Sequence, residues 1–208
     1  MHHPSTVHPM IYLASQSPRR QELLKQWQVP FRLLLPKDNL QAEALEATLA
    51  QEPPLDYVER VTRLKWASAS KRIQDEGLTN LPVLAADTTV ALGSEILGKP
   101  IHSDEARQML MMLSGKSHHV HTAVALGRHD HVECVVQTSV VTFGIISDMD
   151  IDRYIQSQEP FGKAGSYGIQ GLAGLWIRSI QGSYTGIMGL PAFETRQLLH
   201  RFGIATPV

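Results

Sequence analysis

The chain has 208 residues, of which 43% are hydrophobic and 19% are charged, and its formal net charge is −1. This composition is typical of soluble globular proteins, and the length is enough to bury a core without metal or disulfide staples. The charge balance excludes a general attraction to nucleic acid or to anionic membranes, so any anion site must be local.

Two features of the sequence bear on the cellular location of the protein, namely its N-terminal residues and its cysteine count. Residues 1–9 lack the cationic-then-apolar pattern of a signal peptide and are predicted to form a flexible tail. No apolar run approaches the roughly 20 residues of a membrane span. The single cysteine, Cys134, excludes an intrachain disulfide and fits a reducing compartment. We therefore expect a cytoplasmic protein with one domain over residues 10–208 and no membrane or nucleic-acid partner.

The first motif is LASQSPRR, at residues 13–20. It connects a predicted strand at 11–14 to a predicted helix, which Pro18 is suited to begin because its fixed φ matches the first helical turn. The free N–H groups of a helix start favour an anion, and Arg19 and Arg20 add bidentate phosphate donors. The motif predicts a phosphate site; a capped helix with solvated arginines is the alternative.

The next elements are a strand at 31–35, an acidic stretch at 37–54 and a long helix at 56–74, where apolar residues recur every three or four positions. A short helix is predicted at 42–50. A buried strand at 82–86 then runs into Asp87, and residues 90–92 continue it. We nevertheless expect Asp87 at a strand end before a turn, the edge where α/β folds place ligands. Asp87 is suited to ligate magnesium or to act as a general base on water; an ordinary Asx turn is the alternative.

The second half alternates strands and helices. The predicted elements, in order, are a turn at 93–94, a helix at 104–113 capped by Ser103, strands at about 119–127 and 132–145 joined by a hairpin at 128–131, a helix at 148–157, a glycine-rich loop at 159–174, a strand from 175, a loop at 182–191 and a helix at 192–201. Alternation of this kind predicts an α/β fold, and the long hairpin predicts a mixed rather than a parallel sheet.

Further polar residues lie in the turns and glycine-rich loops. Lys99, between Gly98 and Pro100, suits a point-charge contact to phosphate, although a solvated turn lysine is the alternative. Gln170, in the loop at 163–171, carries an amide able to read a nucleobase edge; the alternative is a tight structural loop. His118, His119 and His121 form a histidine cluster, in which the two at i and i+2 would share one strand face and could bind a metal. No third ligand is obvious, so we expect His118 to orient a loop instead.

The order of these motifs resembles the Maf family of nucleoside triphosphate pyrophosphatases. The matching segments lie between residues 11 and about 200 and are LASQSPRR (13–20), EPPLDYVERVTRLK (52–65), AADTTVAL (85–92), GKP (98–100), LSGKSHHVHTAV (113–124), KAGSYGIQG (163–171) and GSYTGIMGLP (182–191). The resemblance implies an elongated mixed β-sheet with flanking helices, two lobes around a deep cleft, and similarity to the inosine triphosphate pyrophosphatase architecture. It also implies a homodimer.

The implied reaction is hydrolysis of dTTP and UTP between the α- and β-phosphates, with Mg²⁺ or Mn²⁺ as cofactor. Carried onto this sequence, the resemblance implies that Asp87 is the proton acceptor and a metal ligand. The residues implied for the phosphate-binding cleft are Ser15, Arg20, Lys65 and Lys99. The positions implied for base preference are Arg19, Thr88 and Gln170.

The metal-binding acid is harder to assign, because the stretch from Pro36 to Tyr57 is expanded relative to the family pattern. Asp38, Glu43 and Glu46 are scattered through this stretch, and any of them could be the second metal ligand; we choose Glu43. Two other functions stay open. One is hydrolysis of modified nucleotides such as 5-methyl-UTP or pseudo-UTP, and the other is a nucleotide-binding regulator of cell division and septum formation with slow hydrolysis.

Overall fold

A computed structural model describes residues 10–37 and 44–207. The strands are β1 (Ile11–Leu13), β2 (Phe31–Leu33), β3 (Val83–Leu92), β4 (Glu95–Leu97), β5 (Ser117–Arg128), β6 (His131–Phe143) and β7 (Ile177–Gln181). The helices are α1 (Pro18–Gln26), α2 (Pro54–Asp75), α3 (Ser103–Leu113), α4 (Asp148–Gln156), α5 (Tyr184–Met188) and α6 (Ala192–Arg201). Two short 3₁₀ turns, Ala164–Ser166 and Leu172–Trp176, lie in the glycine-rich loop.

The strands form one mixed sheet in the order β2-β1-β3-β5-β6-β7, with β4 also paired to β3. β1 is parallel to both β2 and β3, whereas the other pairings are antiparallel. The mixed α/β fold with flanking helices is therefore confirmed. Parallel pairing of β1 with β3 places Leu13, the end of β1, beside Leu84 near the start of β3, so the chain continues from β1 into α1 in the direction of the middle of β3.

Apolar faces of the helices cover the sheet. α2 packs on one face, where Trp66 contacts the cluster of Val83 and Ala125 and reaches Gly127, whose missing side chain makes room for the indole. α1 and α6 bury Leu24 and Leu198 together with strand residues. The recurrence of apolar residues every three or four positions is what allowed α2 to be predicted from the sequence.

Three predicted details are wrong. The helix at 42–50 does not continue through its described part, since residues after Ala44 form turns and coil. The carbonyls of Glu46 and Ala47 accept hydrogen bonds from α2 side chains instead of from their own helix. The loop at 182–191 contains α5, which the Ser183 hydroxyl caps by accepting from the Gly186 N–H. α3 is capped by His102, and Ser103 is its first residue.

Two other expectations fall on residues 1–9 and Glu43, which lie outside the described parts of the chain. The division of residues 10–208 into two lobes stays a prediction. Among the residues that the structure describes, none of the helices is long and apolar enough to cross a membrane.

Candidate active site

A cleft of about 640 Å³ opens between the start of α1, the middle of β3, α2 and the glycine-rich loop. Seven of the residues predicted to form the site line it: Ser15, Arg19, Arg20, Lys65, Asp87, Thr88 and Lys99. They come from four separate parts of the chain, and the fold brings them together.

Arg20 is the most buried cation of the cleft, with 9% of its surface exposed. Its guanidinium donates to three neutral acceptors: the Gly189 carbonyl at 2.7 Å from Nε, Ser15 Oγ at 3.0 Å from Nη1, and Thr88 Oγ1 at 3.1 Å from Nη2. Burial lowers the pKa of Arg20, although Asp87 acts in the opposite direction. Within the described residues Arg20 has no salt bridge. A buried guanidinium held only by neutral groups favours binding of an anion.

The start of α1 adds backbone donors to this wall. Pro18 is the first helical residue and Ser17 makes no side-chain cap, so the first-turn N–H groups have no partner within the helix. The Ser17 N–H instead donates to Ser15 Oγ at 3.2 Å. Arg19 is partly buried and donates from Nε to the Met188 carbonyl at 3.2 Å.

The opposite wall is a chain of alternating charges. Lys65 Nζ donates to Asp87 Oδ1 and to Glu46 Oε1, each at 2.6 Å. Glu46 Oε2 accepts from Lys99 Nζ, also at 2.6 Å. Lys65 lies one helical turn after the buried Val61, so its side chain projects from the same face of α2 and reaches the cleft. The result is two carboxylates and two ammonium groups in one continuous cluster.

Asp87 lies in the middle of β3, not at its end as predicted. Its backbone pairs with Ala123 of β5, and the ladder continues on both sides from Val83 to Ala91. The side chain is 10% exposed and contacts Lys65. The prediction failed because the two threonines after Asp87 suit a pleated strand and continue it, where we had expected a turn.

Glu46 is one of the three acids considered from the sequence, although Glu43 and not Glu46 was chosen. α2 holds it in place, since the Tyr57 hydroxyl donates to the Glu46 carbonyl at 2.9 Å and Arg60 donates to the Ala47 carbonyl at 2.9 Å. Burial acts to raise the pKa of Glu46, but Lys65 and Lys99 outweigh it and the pKa is lowered. No local pattern separates Glu46 from its acidic neighbours; only its spacing from the Tyr57 and Arg60 pair could have indicated it.

The glycine-rich loop forms a third wall. Gly165 has a φ of +66°, and a Cβ there would lie 2.8 Å from Val90, so only glycine lets the loop approach β3 this closely. Tyr167 lines the cleft, and its hydroxyl is 2.7 Å from Nε2 of the buried His118, as expected for a loop-orienting histidine. Gln170 is exposed, in a turn closed by the Gly171 N–H on the Gly168 carbonyl, and does not line the cleft.

The donor set can be tested against a divalent cation. No group of three or more histidine, cysteine, aspartate or glutamate side chains that could hold a metal occurs in residues 10–37 and 44–207. Asp87 and Glu46 nevertheless both direct a carboxylate oxygen at one ammonium group, so that a positive charge is already stabilised between them. Mg²⁺ in phosphate sites is often held by one or two carboxylates plus substrate oxygens, and this pair fits that arrangement.

Sequence comparisons give a consistent result over nearly the full length. A protein of Ralstonia nicotianae named dTTP/UTP pyrophosphatase is 53% identical over 198 residues, which cover 95% of this chain and 96% of that protein. A protein of the same name from Albidiferax ferrireducens is 53% identical over 193 residues, covering 93% and 96% of the two chains. Another from Nitrosomonas europaea is 47% identical over 197 residues, covering 94% and 95%.

Among solved structures, the Staphylococcus aureus Ham1 protein matches 67% of this chain and 72% of its own, with a TM-score of 0.40 and 16% identity. That likeness is too distant to inform the site. The family model described as Maf-like protein matches residues 10–202, which include every described element from β1 to α6. The chain therefore belongs to the Maf-like protein family.

Proposed function

We propose that this protein is a nucleoside triphosphate pyrophosphatase that hydrolyses dTTP and UTP to the monophosphate and pyrophosphate. The observation that carries the proposal is the buried guanidinium of Arg20, which neutral acceptors hold beside the carboxylate of Asp87 in a cleft of nucleotide size. The names of the relatives, which share about half of their residues with this chain, support the same reaction.

The phosphate-binding part comprises Ser15, Arg20, Lys65 and Lys99. Three of the five N–H groups of Arg20 are committed to Gly189, Ser15 and Thr88, which fixes the plane of the guanidinium. The two remaining N–H groups, one on each terminal nitrogen, are the donors for phosphate oxygens. Such prearranged donors stabilise charge in phosphoryl transfer without reorganising during the reaction.

Asp87 is the proposed proton acceptor. Oδ1 accepts from Lys65, so Oδ2 is the oxygen offered to a water molecule. The water oxygen attacks the α-phosphorus, its proton passes to Asp87, and the bond from the α-phosphorus to the bridging oxygen breaks, which releases pyrophosphate. In the structure, the contact with Lys65 holds this carboxylate in one orientation.

Asp87 and Glu46 are the proposed metal ligands. When bound, Mg²⁺ or Mn²⁺ supplies additional positive charge that neutralises the triphosphate. Glu46 takes the role that the sequence reasoning gave to Glu43, because Glu46 shares Lys65 with Asp87. The same contact implies that Lys65 must shift when a metal ion enters between the two carboxylates.

Arg19, Thr88 and Gln170 are the proposed determinants of base preference. Arg19 and Thr88 line the cleft, and Gln170 follows Ile169, which also lines it. For Gln170 to reach a base, its exposed turn must fold over the cleft when nucleotide binds. One unmade hydrogen bond in a closed site costs about 1–3 kcal/mol, which is sufficient for discrimination between bases.

The decisive experiment is pyrophosphate release from dTTP, UTP, CTP, 7-methyl-GTP and 5-methyl-UTP with Mg²⁺ or Mn²⁺. We expect many turnovers per site on dTTP, UTP and their modified forms. Asp87→Asn, which keeps Oδ1 for Lys65, is expected to abolish turnover and leave the fold intact, as checked by circular dichroism. Nucleotide binding without release would instead favour a nucleotide-binding regulator, and a fully active Asp87→Asn protein would refute the role of Asp87.

We further propose that the protein acts in the cytoplasm as a homodimer. The free thiol of Cys134 fits a reducing compartment; it is partly buried, and burial raises its pKa to about 11. Light scattering in solution tests the dimer, with the mass of one chain, 23.1 kDa, as the result that would exclude it.

A further inference from the structure

A hydrogen-bonded chain runs from Arg20 into the protein interior through two threonines of neighbouring strands. Arg20 Nη2 donates to Thr88 Oγ1 at 3.1 Å, and Thr88 Oγ1 lies 3.0 Å from Thr122 Oγ1. Thr122 Oγ1 donates to the Gly186 carbonyl at 2.8 Å. The antiparallel register of β3 and β5 places Thr88 directly opposite Thr122, so the contact is built into the sheet.

The direction of every hydrogen in this chain can be deduced. A carbonyl cannot donate, so the single hydroxyl hydrogen of Thr122 is committed to Gly186. Thr88 must therefore donate its own hydrogen to Thr122. Because Thr88 also accepts from Arg20, its oxygen keeps one lone pair and has no hydrogen left to offer. Thr88 can only accept from a substrate, and Thr122 is the residue that imposes this polarity.

The chain closes on itself at α5. The Gly186 carbonyl accepts from Thr122 and also from the Gly189 N–H at 2.9 Å, while the Gly189 carbonyl accepts Nε of Arg20. A Cβ at Gly189 would lie 3.4 Å from both Arg20 Nε and Thr88 Oγ1, so the ring of contacts is tightly packed. Thr122 is fully buried at 0% exposure and has no access to the cleft itself.

We propose that Thr122 is a positioning residue, which acts through Thr88 to hold the Arg20 guanidinium in the orientation that binds the substrate phosphates. This inference rests on the proposed function only in taking Arg20 as a phosphate ligand. Without the Thr122 hydroxyl, the hydrogen of Thr88 has no acceptor in the interior and turns toward Arg20 or the cleft. The guanidinium then loses one of its three fixed contacts.

The test is a set of threonine variants measured with two probes. The first probe is kcat and KM for dTTP, and the second is calorimetric binding of inorganic pyrophosphate. Thr122→Val is expected to lower kcat/KM and to weaken pyrophosphate binding by about tenfold each, the usual scale for one lost hydrogen bond to a charged group. Thr122→Ser, which restores the hydroxyl, is expected to stay within about twofold of the wild type.

The matched control is Thr62→Val. Thr62 is also fully buried, and its hydroxyl donates to the Val58 carbonyl at 2.8 Å and lies 3.5 Å from the Ala123 carbonyl, so it contacts the backbone of β5 but neither threonine hydroxyl of the chain. This substitution removes a buried hydroxyl but leaves the hydrogen-bonded chain from Arg20 to Gly186 in place, so both probes are expected to keep their wild-type values. A loss in Thr62→Val equal to that in Thr122→Val would attribute the effect to general destabilisation and overturn the proposal.

A double-mutant cycle separates positioning from a local structural role. In a Thr88→Val background the link is already broken, so adding Thr122→Val is expected to have no further effect on either probe. An undiminished tenfold loss in that background, or failure of Thr122→Ser to restore binding, would overturn the proposal. If the wild type binds pyrophosphate but does not hydrolyse dTTP, the proposed function fails while the binding cycle still decides the role of Thr122.

Discussion

Replacing His118 by glutamine should remove a pH-dependent part of the stability of this protein. His118 is 1% exposed, packs edge-on against Phe143 at 5.0 Å and contacts the Tyr167 hydroxyl. Burial, with a smaller effect of His119, lowers its pKa from 6.5 to about 4. The imidazole is therefore neutral in the folded protein at pH values where the unfolded chain takes up a proton.

The sign and size of the effect follow from this difference. Above pH 6.5 the ring is neutral in both states, and below it the unfolded state binds the additional proton, so the free energy of unfolding falls as the pH falls. A shift from 6.5 to about 4 corresponds to about 3 kcal/mol when complete. About 2 kcal/mol of this is lost by pH 5, because each pH unit below the unfolded pKa contributes about 1.4 kcal/mol.

The assay is urea unfolding of the wild type and His118→Gln between pH 5 and 7.5. Glutamine keeps a polar atom for Tyr167 but cannot take up a proton, so the difference in stability between the two proteins is expected to shrink by about 2 kcal/mol as the pH falls from 7.5 to 5. Tyr167→Phe is the control, and it should keep the wild-type slope because burial is the main cause of the shift. Parallel pH profiles for the wild type and His118→Gln would refute the reasoning.

Two further predictions concern the cleft. Glu46→Gln removes the charge that pairs with both Lys65 and Lys99 and should raise the Mg²⁺ concentration for half-maximal activity about tenfold, whereas Glu59→Gln, which removes the same charge from an exposed ion pair of α2 outside the cleft, should not. Equal metal requirements in both variants would remove Glu46 from metal binding. Gln170→Ala should change the ranking of dTTP, UTP and CTP more than the rate with the best substrate, and an unchanged ranking would exclude it from base recognition.

Local patterns were sufficient for most elements and for the cations of the site. Pro18 and the apolar spacing of α2 identified their helices, and the motifs around Arg20 and Lys99 identified residues that the structure brings to one cleft. The strand containing Asp87 was found, although Asp87 was expected at a strand end and lies in its middle. In each of these cases the information lies within a few neighbouring residues.

The parts that could not be predicted depend on contacts distant in the chain. Glu46 is selected from several acids because Tyr57 and Arg60 hold its segment, and Thr122 resembles any threonine of a strand until Thr88 is placed opposite it. The short helix α5 contains Gly186, a poor helix former, where a Cβ would meet the Gln137 side chain at 2.4 Å. Tertiary packing overrides local propensity at that position.

The position of β3 in the sheet has a consequence for how the site moves. β5 pairs with β3 without interruption from Val83 to Ala91, so Asp87 and Thr88 are held in the central sheet, and this half of the site opens only when that sheet opens, which costs close to the full free energy of unfolding. The wall around Glu46 is attached to α2 by side-chain hydrogen bonds and can open at far lower cost. The site thus combines a rigid part, the strand β3, with a movable part, the segment around Glu46. Movement of that segment can be the slow step of a catalytic cycle, while Asp87 and Thr88 keep their positions.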